Sequence, residues 1–454
     1  MGAFGTYSTS TGLLEHGARF GAVDYFLQAS QRRSDGHRPE ADGSVRSFSG
    51  RLGYAFATGW DASVQLHAAD AWADDPGRLG GPPRGQLPRF GVKGTLSIAT
   101  VRRQHGNHEG SVELYHHDGD INWLQWDEGR QHAVTTLTGF KTYGVRACEH
   151  LRLENRTEVV VGFDHDRYGG STSERRPATT LTFARRLRRS TAVYAMAARS
   201  FGSTVEITPS LGVRYTDTAD FGGVWGGQAG VVLRRGDTEL HANWAHAVNL
   251  PGLYTAVLFE RWGRGESWRE LDPELLRHAE VGVGRRIGEG ARVQLVVFSD
   301  RVRNALRFVP PPPPSPAFAN LGSYTVRGAE ASATVQVGEK VALLGGVTHL
   351  DPEPADVPNA PPWALVAGAS WAPWAGARLN LDAQWVDSQA VLNPRYAASQ
   401  MRIASHALIN MKGSHRLGGG SAMPVEVFVT AENLLDAEYE YRPGYPAPGR
   451  VGWR

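Results

Sequence analysis

The chain has 454 residues with 48 basic and 46 acidic side chains, and its formal net charge of +2 gives no broad electrostatic reason to bind nucleic acid. Hydrophobic residues at 41% and charged residues at 21% exclude both a disordered polymer and a bundle of lipid-buried helices, and no stretch approaches the ~18 consecutive apolar residues of a spanning helix. With 54 glycines, 13 tryptophans and a single cysteine, Cys148, the composition suits a large all-β protein with many turns, without disulfide, CxxC pair or thiolate cluster. Residues 2–11, GAFGTYSTST, carry neither a basic n-region nor an apolar h-region, so no secretory signal is read in this chain.

Along the chain the hydrophobic period is two. Phe48, Leu52, Tyr54 and Phe56 face away from Ser47 and Arg51, and Val159, Val161 and Phe163 face away from Glu158 and Asp164. Val293, Leu295 and Val297 oppose Arg292, Gln294 and Asp300. The cleanest run sets Ala377, Leu379, Leu381, Ala383 and Trp385 against Arg378, Asn380, Asp382 and Gln384. Near the end Val425, Val427 and Val429 alternate with Glu426 and Thr430. Helical spacing is not sustained anywhere for long.

Connectors come in two lengths that take turns. Short ones lie at 57–60, 154–156, 236–237, 288–290 and 338–340; long polar or proline-rich ones lie at 34–44, 74–90, 167–186, 249–273, 310–319 and 351–363. Strict alternation of this kind is what a closed up-and-down sheet produces, with turns at one rim and loops at the other. A water-soluble sandwich or propeller would also alternate, but its strands average ~5–6 residues against ~10 for a tilted membrane strand. The runs at 291–300 and 377–386 have membrane length, and no blade-like repeat is visible. The expectation is one transmembrane antiparallel barrel of about 20–22 strands over residues 1–454. The proline run Pro310 to Pro314 sits inside a loop.

Glu432-Asn433-Leu434-Leu435-Asp436-Ala437-Glu438-Tyr439-Glu440, followed by Pro443-Gly444-Tyr445-Pro446-Ala447-Pro448-Gly449-Arg450, closely resembles the C-terminal signature of TonB-dependent outer-membrane receptors. Leu271-Asp272-Pro273-Glu274 with His278-Ala279-Glu280-Val281-Gly282 resembles the family's L-x-PE…EVG element. Asn320-Leu321-Gly322 to Gly328-Ala329-Glu330 resembles its N-x-G…G-x-E element, and Asn249-Leu250-Pro251-Gly252-Leu253-Tyr254 its stretch before a long extracellular loop. The signature records architecture: Asn433 and Asp436 suit tight turns, and Pro443, Pro446 and Pro448 stiffen a connector that cannot extend either strand.

The resemblance implies a Gram-negative outer-membrane location, a scarce metal chelate as cargo (a ferric siderophore first, then cobalamin, haem or another metal complex) and lipid and lipopolysaccharide as neighbours. It implies a monomer. Contact with TonB would run only through a plug domain, and neither plug nor signal peptide is read in this chain. Gly2 to Thr6 resembles the distal end of a first strand, and Val451 to Arg454 the beginning of a last one. The first full strand is therefore expected from Tyr7 to Leu14 and the last at Val425–Glu432, with a seam of few ladder bonds between their outer neighbours. A plugless passive pore and a non-functional truncated gene product stand as alternatives.

No catalytic, cofactor or metal residue is assigned, no cofactor is implied, and the cargo-binding residues are left open. His105-Gly106-Asn107-His108 reads as a solvated turn rather than a metal pair. His116 and His117 point to opposite faces of a strand. His241 shares the lumen side with Asn243, flanking Trp244 with His246. Arg185-Arg186-Leu187-Arg188-Arg189 could meet lipopolysaccharide phosphates or an anionic chelate, against a favoured reading as a solvated loop. Trp123, Trp126, Trp262, Trp268, Trp371 and Trp374 match interfacial girdles. Without a Ser-His-Asp order, phosphate loop or zinc helix, the sequence does not read as an enzyme.

Overall fold

The computed structural model describes residues 1–81, 87–127, 131–261, 263–308, 318–391, 401–418 and 425–453. Trp262, the proline run Pro310 to Pro314 and Arg454 lie outside them. One antiparallel sheet takes up nearly every strand, each pairing with its neighbours in the chain. Its segment Thr180–Thr182 only prolongs a hairpin beyond the wall, and the remaining strands form a closed barrel of 22.

Both faces can be followed from strand to strand. Leu52 stands opposite Val64, Val64 opposite Ala99, Ala99 opposite Leu114 and Leu114 opposite Val145. One residue over, Thr100 opposes Glu113, Glu113 opposes Arg146 and Arg146 opposes Asp164. The first row is apolar and uncovered, with Val64 57% and Leu114 56% exposed, so lipid rather than water suits that face. The polar row is concave. Side chains that cross an intervening strand lie on it: Tyr115 donates to Asp166 across Gly144, and Gln228 Nε2 reaches Met196 Sδ at 3.4 Å across Gly212. A Cβ on Gly144 would come within 2.8 Å of the Tyr115 hydroxyl, so glycine there is what lets the crossing occur.

The short connectors at 57–60, 154–156, 236–237, 288–290 and 338–340 share one rim, and the long ones share the other. Gly236 (φ 54°) and Gly288 (φ 59°) open their turns in the left-handed region that L side chains rarely adopt. Strict alternation does not hold. Residues 219–221 form a tight turn on the long-loop rim, and 200–205 a longer link on the short one. The segment 167–186 is only partly loop, because Thr157–Arg175 and Arg186–Arg199 carry the ladder well beyond membrane length.

The ends differ from the sequence expectation. The first full strand is Thr9–Phe20, since Tyr7 and Ser8 take positive φ (58° and 51°) in the turn before it; Val425–Glu432 is as expected. The stubs Gly2–Gly5 and Val451–Trp453 meet at the single register pair Gly5 with Trp453, supported by the Thr6 amide donating to the Gly452 carbonyl at 3.0 Å. Loop contacts bridge the same seam. His37 Nε2 lies 2.8 Å from the Pro446 carbonyl, and the Leu79 amide donates to that of Gly444 at 2.8 Å.

Candidate cargo-facing lumen and loop cap

Over the long-loop rim the segment 250–273 folds instead of wandering. A helix, Leu253–Arg261, and a 3-10 turn, Gly265–Glu270, bury Ala256, Leu258, Phe259 and Trp268 against Phe221, Leu271 and Phe318. Sequence reasoning missed this helix because it is only nine residues long, too short for helical spacing to be sustained. The cap is anchored by the basic run. Arg186 and Arg188 project to the concave side of their strand: Arg188 pairs with Asp220 at 2.8 Å, donates to the Pro251 carbonyl at 2.8 Å and lies 4.5 Å from the Trp268 ring centroid. Arg186 grips Glu266 at 2.8 Å and Glu260 at 3.1 Å. The hydrogen bond from Arg186 holds the Glu266 carboxyl below its ordinary value. Arg261 and Arg176 both pair with buried Glu174, at 3.1 and 3.0 Å.

The solvated-loop reading of 185–189 is thus corrected. Alternation in a strand sends Arg186 and Arg188 into the cap and Leu187 and Arg189 outward, where Arg189 meets Asp217 at 3.4 Å; Arg185 is exposed just before the strand. The tryptophans divide as well. Trp371 and Trp374 are 47% and 63% exposed at the short-turn rim, as a girdle requires. Trp268 is core of the cap, and Trp123 faces inward, edge-on to Phe90 at 6.3 Å.

The histidines fall as their parity dictates. His105 and His108 flank a two-residue turn, and His108 Nδ1 lies 3.1 Å from Glu149. His116 sits 3.2 Å from Asp118 outside, while His117 packs edge-on to Phe140 inside at 5.0 Å. His241 faces the lumen with Asn243, and His246 the opposite side. A luminal group the sequence did not single out surrounds His241. Its Nε2 lies 3.9 Å from Glu280, whose other oxygen is 3.3 Å from His278 Nε2, and His278 Nδ1 is 2.7 Å from Asp300. Gly282 makes room, because a Cβ there would meet the His241 ring at 2.3 Å. The alternation His278, Glu280, Gly282 opposite Asp300 was the available signal. Among the described residues no three or more His, Cys, Asp or Glu side chains are arranged to hold a metal ion. Cys148 is inward-facing beside Tyr194.

The resemblant motifs meet in space. The Asn320 side chain accepts from the Asp272 amide and donates to the Asp272 carbonyl, each at 2.9 Å, tying the N-x-G element to the L-x-PE element. Glu274 accepts the Leu306 amide at 3.0 Å. Asn433 (φ 50°) is buried, donating to the Ala437 carbonyl at 2.9 Å and accepting the Ala437 amide at 2.8 Å, and Asp436 accepts the Arg450 amide at 2.7 Å.

A closed 22-strand wall with these motifs at its loop bases defines a transport barrel, and the TonB-dependent receptor-like β-barrel family model matches residues 2–434. The chain belongs to that family, whose members are outer-membrane receptors and not enzymes. No curated protein matches it in sequence. Among solved structures it is similar to the FrpB iron transporter from Neisseria meningitidis (13% identity, TM-score 0.77, covering 100% of this chain and 79% of that one). It is also similar to the copper transporter OprC (13%, TM-score 0.81, 100% and 79%) and to the ferric citrate transporter FecA (16%, TM-score 0.78, 100% and 76%). At such identities the likeness concerns the fold.

Proposed function

We propose that this chain is the outer-membrane barrel of a receptor that takes up a scarce metal chelate, a ferric siderophore first among the candidates, in a Gram-negative cell. The observation that carries the reading is the sidedness of the wall: an uncovered apolar outer face, a charged concave face and a folded cap over one rim. No helix of the described residues is long and apolar enough to cross a membrane. The structural relatives include iron, ferric citrate and copper transporters, which supports a metal-bearing cargo. On this reading the barrel acts as a monomer with outer-membrane lipid and lipopolysaccharide around it, and the luminal His241, His278 and Glu280 group lies on the path of the cargo. The test is growth of a deletion strain on a panel of iron, copper and corrinoid sources, complemented by the full-length gene. Loss of growth on one chelate, restored by complementation, is the expected result. Unchanged growth and unchanged uptake on every source would remove the reading.

A further inference from the structure

At the short-turn rim one row of the ladder on the outer face sets Trp60 opposite Arg103, Arg103 opposite Gly110 and Gly110 opposite Glu149. The row directly above it is apolar throughout, running through Ala62, Val101, Val112, Ala147 and Phe163. Charge therefore stops, and the lipid-facing band begins, between these two rows. Arg103 and Glu149 do not neutralise each other. Gly110 separates their strands by two ladder spacings, about 10 Å, and among the described residues the half-buried Arg103 makes no hydrogen bond or ion pair. One Glu149 oxygen lies 3.1 Å from His108 Nδ1, and the other leans over Gly110, where a Cβ would collide with it.

A groove of about 510 Å³ opens along the wall from this row. Trp60 and Val101 bound it on one side and Val161 and Phe163 on the other, all four exposed, with Gly110 and Ala147 between them. An uncovered apolar groove that ends in a cation and an anion held apart matches an amphiphile whose head carries both charges. A guanidinium fork fits phosphate oxygens, and a carboxylate accepts charge-assisted hydrogen bonds from a primary ammonium. A head with phosphate alone would satisfy Arg103 and be repelled by Glu149. Partial withdrawal from water at the edge of the apolar band strengthens both contacts.

We infer that this groove binds a phosphoethanolamine-headed lipid from the leaflet at the short-turn rim, with its phosphate on Arg103, its ammonium on Glu149 and an acyl chain between Val101 and Phe163. The inference rests on the membrane-barrel reading. A trimethylated head cannot donate a hydrogen bond to Glu149, and a glycerol head carries no cation, so both bind less well.

The test uses the purified full chain in detergent, with native mass spectrometry against phosphatidylethanolamine, phosphatidylcholine and phosphatidylglycerol of the same acyl chains. The wild-type chain is expected to retain one phosphatidylethanolamine in preference to the other two. Glu149→Gln should weaken that lipid about tenfold and leave phosphatidylglycerol unweakened, whereas Arg103→Gln should weaken all three. Ala147→Phe, which fills the groove, should weaken all three with both charges in place. Arg235→Gln, which removes an exposed charge elsewhere on the same rim, should change nothing. Heat-modifiable migration of each variant reports that it is folded. Equal retention of the three lipids, an unaffected Glu149→Gln variant, or an equal loss in Arg235→Gln and Arg103→Gln would each overturn the proposal. A wild-type chain that gives no heat-modifiable band and holds no lipid would remove the barrel reading and this proposal together, whereas a folded barrel without the preference removes the proposal alone.

Discussion

The Arg188 guanidinium lies 4.5 Å from the ring centroid of Trp268, joining the barrel wall to the core of the loop above it. Trp268 is 1% exposed and its removal empties the centre of the cap. Trp268→Ala should destabilise the cap by about 3–5 kcal/mol while leaving the ladder below intact. Hydrogen exchange should accelerate in Leu253–Arg261 and remain unchanged in Arg186–Arg199.

The cap should also respond to acid. The Arg186 hydrogen bond depresses the folded-state value of Glu266, so the pair stabilises the cap at pH values above the ordinary carboxylate value of ~4.3. That contribution is lost as pH falls through the depressed value, where the folded carboxyl takes up its proton. The carboxylate is largely exposed, so solvent screening keeps the effect small. Exchange in Gly265–Glu270 should therefore rise below about pH 4, and Arg186→Gln should abolish the pH step at that position.

Leu381 opposes Ala369 and Met411 on the apolar face, and Asp382 opposes Gly368 and Asn410 on the polar one, with Asn410 donating to Asp382 at 2.7 Å. Leu381→Arg should cost about 2–4 kcal/mol if it lies near the bilayer midplane. Asp382→Asn should cost less than about 1 kcal/mol. Urea titration of the folded band in lipid vesicles separates the two.

Cysteines introduced one at a time at Glu266, Ala184 and Glu289 should report the topology. Impermeant maleimide applied to intact cells should label the first two, which share the long-loop rim, and miss the third in its short turn. Labelling of position 289 alone would invert the assigned orientation. Cys148 faces inward and supplies the background control.

The seam offers the sharpest comparison. A Cβ on Gly5 would lie 2.8 Å from the Gly452 carbonyl and from the Trp453 ring, whereas one on Gly2 would meet nothing within 4 Å. Gly5→Val should lower the heat-modifiable fraction of the chain, and Gly2→Val should not. Equal behaviour of the two variants would show that the loop contacts, not the Gly5 pairing, close the wall.

Much of this was legible because a strand's side chains have a period that chemistry cannot disguise. Leu379, Leu381 and Trp385 against Asn380 and Asp382 declared both faces, and Gly236-Asp237 and Gly288 declared their turns. The excess of glycine was read as turns, yet Gly144, Gly212 and Gly282 sit inside strands, where they let Tyr115, Gln228 and His241 lie across the concave wall. That role depends on curvature, which one strand does not encode. The cap escaped for a similar reason: Trp268, Phe221 and Phe318 come from three separate connectors and form a core only once the barrel brings them together. The basic run 185–189 looked like a solvated patch because its acidic partners, Asp220, Glu260 and Glu266, lie more than thirty positions downstream.

The hydrogen bonds between connectors divide the mouth of the barrel into two jaws. One joins 176–185, 219–221, 250–273 and the hairpin base at 304–322 through Arg186, Arg188 and Asn320. The other joins 35–42, 75–81 and 433–450 through His37 and Leu79, with the Asn359 amide donating to the Ala390 carbonyl at 2.9 Å and His406 stacked on Tyr439 at 5.1 Å bringing in their neighbours. Connectors already tied to one another have little freedom left to lose when a guest settles between them, so the entropy of ordering is largely met during folding instead of at binding. On the proposed receptor reading, a guest that does not span the space between the two described groups of connectors gains contact with one jaw only.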